Sequence, residues 1–110
     1  MNIVALSGRI ATDLELLRKG DKSYCKFNLA VSKPSAKNGA NFIPCIAWGT
    51  TAELILKYTT KGNRISLHGS IEVTNKDKHL YQNVVIGKIY FIDGKKDILK
   101  EIGDDDDIEY

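Results

Sequence analysis

Few residues of this sequence have the types and spacing that catalysis or metal binding requires. Cys25 and Cys45 lie inside alternating apolar segments and not at metal-ligand spacing, which favours reduced core thiols, although sequence alone leaves a disulfide open. His68 and His79 fall in predicted strands, where a surface or hydrogen-bonded histidine is the simpler interpretation. Asp104–Asp107 could chelate a divalent cation, but a nuclease-type site needs carboxylates that converge from a rigid scaffold. Because a glycine-rich phosphate loop and a nucleophile beside a base are also missing from the sequence, we predict no enzyme, no metal site and no cofactor.

The charged residues are divided unevenly along the chain. Residues 1–92 contain 13 Lys and Arg against 6 Asp and Glu, a net charge of +7. Residues 93–110 contain 3 against 8, a net charge of −5, and the two parts together give the overall +2. A basic body suggests a polyanionic ligand, and an acidic end suggests a segment that must not stay bound there. On charge alone, a solvated surface with a frayed terminus is an equally good explanation.

Length and hydropathy fit one small globular domain. The chain has 110 residues, of which 43% are hydrophobic, as is ordinary for a domain with a single core. No apolar run approaches the roughly 18 to 20 residues that cross a bilayer, and the first residues lack the stages of a secretory signal. We therefore expect a cytoplasmic protein without a membrane association.

Alternation of apolar and polar residues predicts five strands. They cover residues 2–12, 23–33, 42–49, 63–73 and 80–92. Gly8 in the first strand suggests a bend or bulge. Residues 34–41 have the composition of a loop, and 75–78 form the polar tip of a hairpin between the last two strands.

One segment between the third and fourth predicted strands has the period of a helix. Its repeat positions are Ala52, Ile55, Leu56 and Thr59. Thr50 and Glu53 have the spacing of a capping box and Gly62 is a stop signal, so we predict one helix of about three turns. The order β-β-β-α-β-β is that of the five-stranded OB barrel, an all-β Greek-key fold with one short helix.

With these elements in place, the chain resembles the bacterial and phage single-stranded DNA-binding protein family along nearly its whole length. The matching segments are 2–10, 27–31 (Phe-Asn-Leu-Ala-Val), 42–48 (Phe-Ile-Pro-Cys-Ile-Ala-Trp), 52–53, 58, 61–62 and 104–108. Each segment is weak evidence singly, but their order and spacing are fairly specific. The resemblance implies sequence-independent binding of single-stranded DNA in replication, recombination or repair, by a homo-oligomer that is a tetramer.

By the same resemblance, Phe42 and Trp48 are positions on which DNA bases stack. The two residues have the same parity in a strand, so their side chains should lie on one face of the sheet. Stacking suits sequence-tolerant binding because every base has a π-face. From the residues alone, a core position for both rings is the alternative. Tyr24 and Tyr81 could add stacking surface, although a structural role is favoured for each, and Tyr81 is kept as a candidate.

Basic residues are the candidate phosphate contacts. Lys33 and Lys37 lie beside and within the 34–41 loop, and Lys76 and Lys78 lie at the hairpin tip, where a rigid barrel carries its binding residues. The weaker candidates are Arg9, Lys26, Lys57, Lys61 and Arg64. A solvated surface is favoured for any one of them, but not for the whole set.

The resemblance divides the chain into three parts. Residues 1–92 correspond to a DNA-binding and oligomerisation domain, 93–103 to a short linker, and 104–110 to an acidic tip that recruits replication, recombination and repair proteins. The candidate partner-binding residues of the tip are Asp104, Asp105, Asp106, Asp107, Ile108 and Tyr110. An OB-fold adaptor whose sheet binds protein or RNA is the alternative function.

The sequence departs from the family pattern in four places. The loop at Pro34-Ser35 and the hairpin at 72–78 lack aromatic residues that the family carries there, which predicts weaker binding or a shorter footprint. At the tip, Glu109 replaces a proline and Tyr110 a phenylalanine. The short linker is more typical of a phage or minimal version, so we expect a bacterial cytoplasmic or phage-encoded protein.

Overall fold

The computed structural model describes residues 1–93, which form six strands and one helix. The elements are β1 (Val4–Ile10), β2 (Leu17–Lys19), β3 (Lys22–Ser32), β4 (Ala40–Trp48), α1 (Gly49–Tyr58), β5 (Arg64–Lys76) and β6 (His79–Phe91). The five predicted strands and the predicted helix are all present, with β2 as one additional short strand. The predicted fold class, mostly β with one helix between the third and fourth long strands, is confirmed.

The strands form one sheet that curls into a barrel. Their order is β1-β5-β6-β4-β3-β2, and β1 also pairs with β3. That closing contact is short, with Arg9 opposite Ala30 and Ile10 opposite Leu29. β4 and β6 pair in parallel over two residues, whereas the other pairings are antiparallel. The long strands β1, β5, β6, β4 and β3 therefore close into the five-stranded barrel that the OB fold requires.

The short strand β2 was not predicted from the sequence. It forms a hairpin with the start of β3, in which Lys19 lies opposite Lys22. Gly20 in the turn has a φ of 62°, a left-handed conformation that a two-residue hairpin turn needs and that glycine adopts freely. Three residues, two of them basic, are too few to show alternation, so only the pairing with β3 reveals this strand.

Gly8 does not form a bulge, which was one of the two features suggested for it. The ladder between β1 and β5 passes through it without a shift in register. A Cβ at this position would overlap the backbone carbonyl of Ala30, so the glycine allows β1 and β3 to approach where the barrel closes. The bulge lies instead in the β5–β6 hairpin, between His68 and Gly69. Bulges bend and twist a strand, which here happens in the longest hairpin of the barrel.

The start of α1 also differs from the prediction. The helix follows β4 directly, with Trp48 as its N-cap in an extended conformation and without a side-chain capping hydrogen bond. The capping box predicted for Thr50 and Glu53 is therefore wrong. Since the helix begins at Gly49, Thr50 already lies within its first turn and not at the N-cap position.

The helix ends before Gly62, which was wrongly predicted as its stop. Thr59 is the C-cap, and both its backbone N–H and its hydroxyl donate to the carbonyl oxygen of Ile55, at 3.0 and 2.6 Å. Gly62 lies in the following turn, where its N–H donates to the carbonyl oxygen of Ile10 at 2.8 Å. This contact ties the turn to the end of β1.

The barrel interior is filled by alternate residues of the strands and by one side of α1. The buried core consists of Ile10, Cys25, Phe27, Leu29, Cys45, Ala47, Ala52, Ile55, Tyr58, Ile65, Leu67, Val84, Ile86, Ile89 and Phe91. Cys25 and Cys45 are free thiols, as predicted. Burial raises the pKa of Cys45 to about 12 and also raises the pKa of Cys25, so both thiols are protonated at neutral pH.

The β5–β6 hairpin continues past the core. All side chains of residues 71–82 are exposed, and the last pair is Lys76 opposite His79. The turn residues Asp77 and Lys78 have φ values of 53° and 66°. A two-residue turn with both central residues left-handed matches the right-handed twist of the strands, so the predicted hairpin is confirmed.

Candidate nucleic-acid interface

β3 and β4 together present a face that points away from the core. In their register, Tyr24 lies opposite Trp48 and Lys26 opposite Ile46. The residue between Tyr24 and Lys26, Cys25, is fully buried. Because side chains alternate along a strand, the even-numbered residues of β3 and β4 form the outer face of the barrel wall.

Tyr24 and Trp48 form an aromatic pair on this outer face. Their ring centroids are 5.0 Å apart and the ring planes are inclined by 36°. Tyr24 is half-buried, and Trp48 retains 36% of its surface accessible to solvent. The pair therefore holds the indole in place while leaving part of its surface open, which is what stacking on a nucleic-acid base requires.

The aromatic pair lines a groove on the outer face. We call it the aromatic groove and define it by Lys19, Tyr24, Lys26, Trp48, Glu72 and Asn83. The pairing of β4 with β6 at Ile46 and Val85 brings the β5–β6 hairpin against β4, and Glu72 lies opposite Asn83 within that hairpin. The groove thus combines ring surface, two ammonium groups and one carboxylate from β2 through β6.

Phe42 lies at the other end of β4. It is 64% exposed, stands opposite Ala30 and borders a depression with Ile71 and Pro44. It lies six positions before Trp48, which corresponds to about 20 Å along a strand. Both predicted stacking residues are therefore outside the core and share one side of β4, as their parity predicted, but they do not lie side by side.

Tyr81 lies on the part of the hairpin that extends beyond the core and is 52% exposed. It has the same parity in β6 as Asn83, so both side chains lie on the face of the hairpin that borders the aromatic groove. Its ring centroid is 6.4 Å from that of His79. The structure thus makes Tyr81 an exposed aromatic residue on the same side as the groove.

The predicted phosphate contacts are dispersed. Lys26 lies in the aromatic groove, where Lys19, which was not predicted, joins it. Lys33 and Lys37 are exposed on the connection between β3 and β4, which is held by a hydrogen bond from the N–H of Lys33 to the carbonyl oxygen of Gly39 at 3.0 Å. The hairpin-tip residues Lys76 and Lys78 are exposed as well.

Arg9 and Arg64 lie directly opposite each other on β1 and β5. The Oδ2 atom of Asp93 accepts the backbone N–H of Arg64 at 3.1 Å and is 3.7 Å from Nη1 of Arg9. That nitrogen also donates to the carbonyl oxygen of Gly62 at 3.1 Å. The two arginines border a depression next to the 38–40 loop, at the barrel closure and apart from the aromatic groove.

The remaining predicted residues lie elsewhere. Lys57 is on α1, with its Nζ 5.2 Å from the ring centroid of Tyr58, and Lys61 is in the turn after the helix. Neither lysine lines the aromatic groove. The tip residues 104–110 lie outside the described residues 1–93.

Of the groove residues, the sequence analysis named Trp48 and Lys26 as contacts and Tyr24 as an aromatic residue with a favoured structural role. It missed Lys19, Glu72 and Asn83. Lys19 could not be identified, because β2 was not predicted. Glu72 and Asn83 reach Trp48 only through strand pairing, which one sequence does not reveal.

Two further observations concern residues 1–93. In this range there is no group of three or more His, Cys, Asp or Glu residues that could hold a metal ion. The helix in this range, α1, is not long and apolar enough to cross a membrane.

Comparison with known proteins agrees with this architecture. The chain is 42% identical over 81 residues to a single-stranded DNA-binding protein of Fusobacterium nucleatum, covering 67% of this chain and 53% of that protein. It is 36% identical over 100 residues to one of Clostridium perfringens, covering 84% of this chain and 67% of that protein. The match thus spans about half the length of the Fusobacterium relative.

The structure is similar to that of the second single-stranded DNA-binding protein (SSBb) of Mycobacterium smegmatis, with a TM-score of 0.68. The sequences are 20% identical, and the alignment covers 82% of this chain and 87% of the other. The model of the single-strand binding protein family matches residues 1–91. With this match over almost all of the described barrel, the chain belongs to the single-strand binding protein family.

Proposed function

We propose that this chain is a non-enzymatic protein that binds single-stranded DNA along the outer face of β3, β4 and β6. The observation that carries the proposal is the partly open indole of Trp48, held against Tyr24 in a groove that also contains Lys19 and Lys26. Rings accept any base by stacking, and lysines neutralise phosphates whatever the sequence. Such binding suits the protection of single strands in replication, recombination or repair.

The bound strand would extend from the groove along β4 in one direction and along the β5–β6 hairpin in the other. Phe42 offers a second exposed ring about 20 Å from Trp48, and Tyr81 offers a third on the hairpin. The proposed phosphate contacts are Arg9, Lys26, Lys33, Lys37, Lys57, Lys61, Arg64, Lys76 and Lys78. Those on the 33–39 connection and at the hairpin tip are best placed to hold the strand at its flanks, because they are exposed on loops beside the sheet.

We further propose that residues 1–92 associate into a homo-oligomer, a tetramer. β1 pairs with β5 from Val4 to Arg9 but with β3 only at its last two residues, so much of its other edge has no strand partner within residues 1–93. Ile3, Val73 and Leu80 are exposed apolar residues. Unpaired strand edges and exposed apolar side chains both favour association with another copy.

For the remainder of the chain we propose a linker at 93–103 and a partner-binding tip at 104–110. The support is the charge division, +7 for residues 1–92 against −5 for 93–110. An acidic tip is repelled by DNA that is bound to the basic barrel. It can therefore bind basic pockets of replication, recombination and repair proteins.

The test uses Trp48, the single tryptophan of the chain, as the reporter. Oligo(dT) in a chelating buffer should quench its fluorescence, whereas the equivalent duplex should bind weakly at the same salt concentration. Duplex bound as tightly as single strand would contradict the proposal. Tighter binding of oligo(rU) than of oligo(dU) would favour the alternative of an adaptor that binds RNA. Tight binding of a partner protein, together with no quenching by DNA, would favour an adaptor that binds protein.

A further inference from the structure

The aromatic groove contains a carboxylate where a polyanion is proposed to bind. Glu72 lines the groove together with Trp48 and Lys26. Within residues 1–93 the structure records neither an ion pair nor a side-chain hydrogen bond for it. A negative charge at this place weakens the attraction of phosphates, so on electrostatic grounds alone it opposes binding. A role for Glu72 must therefore come from contacts with something other than phosphate.

Strand geometry places Glu72 on the face of the hairpin that borders the aromatic groove and not on its far side. Glu72 is opposite Asn83 in the β5–β6 ladder, and Asn83 also lines the groove. The parallel contact of β4 with β6 places this pair across the groove from Trp48. A base stacked on the indole would lie in the groove that Glu72 also lines.

An ionised carboxylate can only accept hydrogen bonds, so it distinguishes bases by their donors. Cytosine carries an exocyclic amino group at C4, and a glutamate can accept from it. Thymine and uracil carry a carbonyl oxygen at C4, and their only ring N–H lies between two carbonyl oxygens that repel a carboxylate. A base without a suitable donor instead turns a carbonyl oxygen towards the exposed carboxylate, and the two acceptors repel each other.

We propose that Glu72 makes the aromatic groove select bases with an exocyclic amino group, and cytosine over thymine or uracil. The inference rests on the proposed function, because it requires a base stacked on Trp48. Glu72 thereby lowers the affinity for every strand while raising the share of amino-bearing bases at this position. The chain binds single strands generally and still holds a preferred base in each groove.

Oligo(dC) and oligo(dU) of equal length test the preference, because both lack the 5-methyl group and differ at C4 and N3. Fluorescence anisotropy of end-labelled strands measures their affinities near neutral pH without relying on Trp48. The full chain should bind oligo(dC) about fivefold more tightly than oligo(dU), the low end of what one base contact discriminates. Glu72→Gln should bring the ratio close to one and tighten oligo(dU), because an amide both donates and accepts.

Glu53→Gln is the matched control, since it removes the same charge from an exposed position on α1, away from the groove. It should leave the ratio of the two affinities unchanged. Equal affinities in the full chain, or a ratio that survives Glu72→Gln, would overturn the role of Glu72. Trp48→Ala separates the two proposals. If it weakens binding of both strands, the groove is the DNA site whatever Glu72 does; if it weakens neither, the proposed function itself fails.

Discussion

Tyr24 and Trp48 are directly opposed residues of β3 and β4, and their rings pack with centroids 5.0 Å apart. Because the two rings are in contact, removal of either should change the position of the other. This relationship gives Tyr24 a role in positioning the indole that we propose to stack on DNA. It also makes the energetic effects of the two residues on binding interdependent.

We expect Trp48→Ala to weaken binding to oligo(dT) by about 1 to 3 kcal/mol, which is the range that alanine substitutions of stacking residues give in single-stranded DNA-binding proteins themselves. Tyr24→Ala should weaken binding less, because it acts through Trp48. In the double variant the losses should be less than additive, since contacting residues couple. Isothermal titration of the unsubstituted chain, the two single variants and the double variant with oligo(dT) measures these losses in binding free energy. Strictly additive losses would show that Tyr24 does not position Trp48.

Phe42→Ala tests the distant stacking position. Because Phe42 is 64% exposed, the substitution should leave cooperative thermal unfolding intact while weakening binding of long oligonucleotides. Strands too short to span the roughly 20 Å from Trp48 should bind nearly as well as before. Binding that weakens only in proportion to lost folding would instead show that Phe42 acts through stability.

Lys26→Gln tests the electrostatic contribution of the groove. If Lys26 neutralises one phosphate, the slope of log affinity against log salt should become less steep by roughly 0.7. Arg18→Gln is the control, because Arg18 is exposed and neighbours the groove residue Lys19 in β2, so its side chain lies on the opposite face. An equal change of slope in both variants would indicate a general charge effect and no specific contact.

Stability should fall at high pH because of Cys45. Its thiol has a pKa of about 12 in the folded protein against 9.0 for the ordinary group. Between these values the unfolded chain has lost the proton that the folded chain keeps, so rising pH favours unfolding. The urea midpoint should therefore decrease from about pH 9 upwards. Cys45→Ala should show a shallower decrease over the same range, and an identical pH profile would contradict this account.

Deletion of residues 104–110 should leave affinity for DNA unchanged or slightly higher, because the acids compete with DNA for basic surface. It should abolish capture of helicase, recombination-mediator or polymerase-associated proteins from a host extract. The double substitution Ile108→Ala and Tyr110→Ala retains every acidic residue and should also lose capture, with DNA affinity equal to the full chain. A truncated protein that still captures these partners would show that the tip is not the recruitment element.

Much of the architecture followed from the sequence because a period of two is itself the signature of a half-buried strand. The alternation around Phe27 and Leu29 defined the buried side of β3, and the same rule placed Phe42 and Trp48 on one side of β4. The polar tip at Asp77 and Lys78 marked the hairpin, since turns need residues that tolerate left-handed backbone. These are local properties of the chain, so no knowledge of neighbouring strands was needed.

Features that depend on pairing between strands were decided only by the tertiary structure. Alternation predicts which face a residue occupies but not which residue it meets, so the contact of Tyr24 with Trp48 depended on the register of β3 and β4. The position of Glu72 in the groove depended on β6 pairing with both β4 and β5. The same holds for the failed cap at Thr50, because the direct junction of β4 and α1 shifted the helix start. The sequence by itself thus determined the faces of the strands and the division of charge, and tertiary pairing decided which side chains form the site.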